Sequence, residues 1–155
     1  MKILIVRGDP QDLETLATDF QLHWRNCTVF RAADGAEAIR ELTAHEPNVV
    51  VLDVGLPRKS GFDVLRDLRR IDDVPVVMVS EHASESEEIR ALQLGADDYV
   101  RAPFSDNVFF ARIRSVLRRA EGTTFPGDDA RPETTNPLPM RPVGRPASPQ
   151  APAFV

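Results

Sequence analysis

The chain has 155 residues, 42% hydrophobic and 28% charged, enough for one globular domain with its own core. Its 24 acidic against 19 basic residues give a net charge of -5, which argues against a surface built to grip nucleic acid or an anionic membrane and points to protein partners. No apolar run approaches the length of about 18 residues that a membrane span needs, and Met1-Lys2 leads into a strand pattern without a signal peptide, so the cytoplasm is the expected compartment.

Strand and helix patterns alternate along the chain. Lys2 to Val6 predicts a first strand and Pro10 to Leu22 a helix, with Asp9 as its N-cap and Pro10 in its first turn. Cys27 to Arg31 predicts the second strand, so the lone Cys27 reads as a buried strand thiol with no internal disulfide to form. Asp34 opens the next helix, which runs to Ala44, and Pro47 ends it. Asn48 to Asp53 is a third strand. A loop through Pro57 and Gly61 leads to a helix from Phe62 to Arg70, with Phe62, Leu65, Leu68 and Val64 facing inward. Pro75 to Ser80 is the fourth strand. Ser84 caps a helix that reaches about Leu94, Gly95 stops it, Asp97 to Val100 is a short fifth strand, and Ser105 to Ala120 is the last helix.

Five such units predict an α/β domain over residues 1–120, a doubly wound five-stranded parallel sheet with helices on both faces. The run Val49-Val50-Val51-Leu52, apolar on both faces, reads as a central strand. Asp53 at its C-terminal end stands where open α/β sheets place their chemistry. Residues 121–155 carry 8 of the 13 prolines and no apolar period, so a disordered C-terminal tail is expected there. The tail's Arg145-Pro146-Ala147-Ser148-Pro149 has no clear groove-docking anchor.

Five segments carry a resemblance to a known family: Ile3-Leu4-Ile5-Val6, Val50 through Pro57, Ser60 through Leu65, Pro75 through Ser80, and Leu94-Gly95-Ala96-Asp97-Asp98-Tyr99-Val100. In order and spacing the chain resembles the receiver domain of two-component response regulators, and Pro103-Phe104 with Ala111-Arg112-Ile113-Arg114 looks most like the OmpR/PhoB subfamily. The resemblance implies a flavodoxin-like (βα)5 sandwich. It also implies a phospho-acceptor aspartate, an acidic pair that helps hold Mg²⁺, a hydroxyl, a lysine and a switch aromatic. Asp53 falls on the acceptor, Ser80 on the hydroxyl and Tyr99 on the aromatic. The acidic pair falls on Arg7 and Gly8, and the lysine on Ala102. Glu81 replaces a small residue beside the acceptor.

Mg²⁺ takes octahedral oxygen ligands, and Asp53 alone is a poor site, so no cofactor is expected. Mg²⁺ enters only if a conventional phospho-acceptor chemistry survives. Arg7 is expected to pair with Asp53 in place of the metal, the alternative being an Arg7 that points to solvent. Asp9 reads as a helix cap rather than a metal ligand, and Lys59 and His82 as surface residues.

By resemblance, the face of the fourth helix, fifth strand and fifth helix is a dimer interface. Ile89, Leu92 and Phe110 fall on its apolar patch, and Asp97 and Asp98 face Arg114 and Arg112 in its charge pattern. The expected protein is a stand-alone, atypical receiver, an interaction module rather than an enzyme. Its expected partners are proteins, among them a histidine kinase or another receiver, with homodimerisation and no DNA-binding domain. The alternatives are a conventional receiver phosphorylated on Asp53 and a small-molecule-sensing pseudo-receiver. A nucleotide-dependent oxidoreductase is disfavoured, because Arg7-Gly8-Asp9-Pro10 after the first strand is no glycine-rich phosphate loop.

Overall fold

A computed structural model describes residues 1–121. The elements alternate as predicted: β1 Lys2–Val6, α1 Pro10–His23, β2 Thr28–Ala32, α2 Gly35–His45, β3 Val49–Asp53, α3 Gly61–Arg69, β4 Val76–Ser80, α4 Glu85–Gln93, β5 Asp98–Arg101 and α5 Asp106–Glu121. All strands are parallel in the order β2-β1-β3-β4-β5, which puts the apolar β1 and β3 in the interior of the sheet. The tail expected over 121–155 lies outside the described residues, apart from Glu121 at the end of α5.

Strand alternation divides the core between two faces. Leu4, Val6, Val50, Leu52, Val76 and Met78 pack with Phe62, Leu65 and Leu68 of α3, Leu42 of α2 and Ala91 of α4. On the other face α1 and α5 meet through an aromatic cluster, with Phe20 edge-on to Phe109 at 5.8 Å and to Phe110 at 5.1 Å. Side-chain caps start the helices, Asp9, Asp34 and Ser84 as the sequence implies and Ser60 in addition, each accepting from the first turn.

Two local expectations are corrected. Cys27 is half-buried and lies just before β2, because the ladder begins at Thr28, paired with Lys2. Asp97 precedes β5 rather than opening it, since its carboxylate accepts from the Val76 N–H at 2.8 Å and from Arg69 at 3.1 Å. Gly61 brings the start of α3 against the end of β3: its N–H donates to Val54 at 2.8 Å, and a Cβ there would fall on the Asp53 carbonyl oxygen. That close approach sets the loop next to Asp53.

Candidate functional site

Register brings the predicted site residues together. Val6 pairs with Leu52, Asp53 with Val79, and Ser80 with Arg101. Arg7, Asp53, Ser80 and Ala102 therefore stand side by side at the C-terminal edge of β1, β3, β4 and β5.

Arg7 does not point to solvent. It is only 8% exposed, and its guanidinium meets three carboxylates: Asp12 at 3.3 Å, Asp53 at 3.5 Å and Glu81 at 3.7 Å. The contact from Nε to Asp53 Oδ2 lacks hydrogen-bond geometry and is electrostatic. Asp53 Oδ1 accepts from the Gly55 N–H at 3.0 Å. Burial pushes the Asp53 carboxyl above the usual aspartate range; the Gly55 N–H and Arg7 pull it back, while Glu81 and Asp12 push it up again. Desolvation wins because Asp53 is largely enclosed and its cation is shared among three carboxylates.

The receiver resemblance implies Mg²⁺ at this edge, and the residues present do not fit it. The guanidinium occupies the space between the carboxylates where a dication would have to sit, and it cannot give up its charge. At position 8 a Cβ would come within 2.9 Å of the Pro57 ring, so the close packing of that loop itself excludes an acidic side chain unless the ring moves. Ala102 contributes no charge; it lines a crevice of about 240 Å³ together with Arg7, Asp12, Glu81 and Phe104. A larger cavity of about 570 Å³ lies elsewhere, between the start of α2 at Asp34 and the Pro57–Lys59 loop. Lys59 is held at 2.6 Å by Asp67, and Asp9 caps α1, as expected of residues outside the site.

Ser80 and Tyr99 are buried, and both hydroxyls approach the carboxylate of Glu87. Glu87 and Asp12 escaped the sequence reading. Glu87 stands in an acidic run that reads as a helix start, and Asp12 in an ordinary first turn; the one signal for Asp12 is the cation Arg7 five residues earlier, at the end of an apolar strand.

The residues expected on the interface divide between surface and core. Ile89 and Leu92 are each 48% exposed on α4, and Val108 on α5 is 52% exposed. Asp98 pairs with Arg112 at 3.1 Å, and Glu88 with Arg101 at 3.1 Å. Phe110 is corrected: it is 4% exposed and packs on α1, stacked on His23 at 4.1 Å, so it offers nothing to that face. Within the chain Asp97 does not pair with Arg114. Arg69 takes Asp97, while Arg114 lies near His23, whose pKa is lowered by burial first and by Arg114 second.

A family model for the response regulator receiver domain matches residues 3–114. The chain belongs to that family. It is 41% identical over 117 residues to the transcriptional regulatory protein KdpE of Mycobacterium tuberculosis, covering 76% of this chain and 51% of that protein. It is 42% identical over 124 residues to the probable transcriptional regulator ycf27 of Cyanophora paradoxa, covering 80% and 51%. These relatives agree with the OmpR/PhoB resemblance, and the chain spans about half their length. Among solved structures, it superposes on the beryllofluoride-activated N-terminal receiver domain of Klebsiella pneumoniae RstA with a TM-score of 0.72 and 31% identity, covering 76% of this chain and 99% of that one. The receiver domain of Francisella response regulator 1452 gives a TM-score of 0.71 at 27% identity, covering 77% and 98%. Among the described residues no helix is long and apolar enough to cross a membrane.

Proposed function

We propose that this receiver is atypical: it signals by protein binding, without turnover, and Mg²⁺-dependent phosphorylation of Asp53 is weak or absent. One observation carries the reading. The Arg7 guanidinium stands at Asp53 in the place of the metal, enclosed by Asp12 and Glu81. Phosphoryl transfer to a carboxylate needs cations that neutralise the transferring oxygens without blocking the nucleophile. Arg7 holds Asp53 itself, and Ala102 adds no second cation. Binding would run through the face of α4, β5 and α5, with a second copy, another receiver or a histidine kinase as partner. The exposed Ile89, Leu92 and Val108, flanked by the Asp98–Arg112 and Glu88–Arg101 pairs, support that choice.

A conventional phospho-acceptor is the second reading, favoured by the retention of Asp53 and Ser80 at neighbouring strand ends. Titration with Mg²⁺ and beryllofluoride, followed by amide spectra, separates the two. The expected result is no saturable Mg²⁺ binding at low millimolar concentration and no shift at Ser80 or Tyr99. Tight binding with shifts that spread to Tyr99 would establish the conventional reading instead.

A further inference from the structure

Helix α4 is held to the domain by little apolar contact. Ala91 is its only buried residue, and its other tethers lie near the surface: Arg90 over the Phe62 ring at 4.4 Å and Glu88 with Arg101. Yet its first turn sends Glu87 inward. Oε2 of Glu87 accepts from the Tyr99 hydroxyl at 3.1 Å and stands 3.4 Å from the Ser80 hydroxyl, which in turn accepts from the His82 N–H at 3.3 Å. A carboxylate oxygen has room for two such donors. The phenol bond is the shorter and stronger one; at 3.4 Å the serine contact lies beyond the usual O–H···O range and is a weak one.

We propose that Glu87 is a positioning residue that clasps the Tyr99 and Ser80 hydroxyls, fixing the buried tyrosine and the first turn of α4 from within. Both hydroxyls are buried, so no water replaces a lost partner at little cost. With so small an apolar anchor, α4 depends on this clasp for its seat. The register of Ile89 and Leu92 on the exposed face follows from it. The clasp holds whether or not Asp53 accepts phosphate, and its test reads neither metal nor phosphodonor.

The experiment is amide hydrogen exchange over residues 85–93 of the full chain in wild type, Glu87→Ala, Tyr99→Phe and the double variant. Each single change should speed exchange at the hydrogen-bonded amides of α4, from Glu88 onward, by about tenfold, the equivalent of one charge-assisted hydrogen bond. The double variant should be no faster than the faster single. Multiplicative effects would mean that the two residues act separately and would overturn the clasp. Tyr99 is the only tyrosine, so tyrosinate absorbance reports on it alone. Glu87→Gln keeps the side-chain volume and, by removing the charge, should lower the Tyr99 titration midpoint. An unmoved midpoint in folded Glu87→Gln also overturns the proposal, since a role confined to helix capping would leave the phenol alone.

Discussion

Nε of Arg7 stands 3.5 Å from Oδ2 of Asp53, and both side chains are largely enclosed, at 9% and 15% exposure. The pair has no counterpart in bulk water: burial raises the cost of each charge, and their attraction is less screened than at the surface. Its outer members, Asp12 and Glu81, are 49% and 60% exposed and contribute less.

Arg7→Met should therefore destabilise the domain by about 3 kcal/mol at neutral pH, because it strands Asp53 without its cation. The pH dependence follows from the raised Asp53 pKa. Above the ordinary aspartate value of about 4, the folded state keeps a proton that the unfolded chain has released, so this group's contribution falls as pH rises through the window. Removing Arg7 pushes the folded pKa higher still. Urea unfolding should show the variant's deficit shrinking as pH is lowered, when Asp53 is neutral and the pair no longer matters. A deficit of equal size at both ends of the range would remove the ion pair from the account.

Restoring the family's charges tests the pocket from the other side. Arg7→Asp, Gly8→Asp and Ala102→Lys together should give saturable Mg²⁺ binding by calorimetry. The new Cβ at position 8 presses on Pro57 at 2.9 Å, so the triple variant should also melt at a lower temperature than the Arg7→Asp, Ala102→Lys pair. If Mg²⁺ binds only after Glu81→Ala is added, Glu81 is the block.

The Asp98–Arg112 pair offers a charge-reversal test of the proposed interface. Asp98→Arg or Arg112→Asp alone should weaken self-association in sedimentation, and the two together should partly restore it. Association should be equal with and without phosphodonor. A wild-type monomer at high micromolar concentration, with partner capture indifferent to these changes, would retire the interface.

Phe110 should behave as core. Phe110→Ala removes a ring packed on Phe20, His23 and Trp24 and should cost about 3 kcal/mol in chemical unfolding. Leu92→Asp, on the exposed face, should instead weaken association at little cost in stability. The reverse pattern would return Phe110 to the interface.

The order of elements, the parallel sheet and the place of Asp53 and Ser80 at its edge were legible in the sequence, because hydrophobic period and cap residues act over a few neighbours. Val49-Val50-Val51-Leu52 is apolar on both faces only if helices cover both, and that one fact determines a central strand. The substitutions at positions 7, 8 and 102 were equally plain, being matters of residue type. Direction was not. Phe110 and Val108 sit two positions apart on one helix, and only the packing of α5 against α1 decides that Phe110 turns inward while Val108 meets solvent. Asp97 could have met any nearby cation until the seat of α3 brought Arg69 to it. Glu87 and Asp12 became site residues for the same reason: a buried hydroxyl or guanidinium must find a partner, and which carboxylate lies within reach is a property of the assembled layers, not of spacing along the chain.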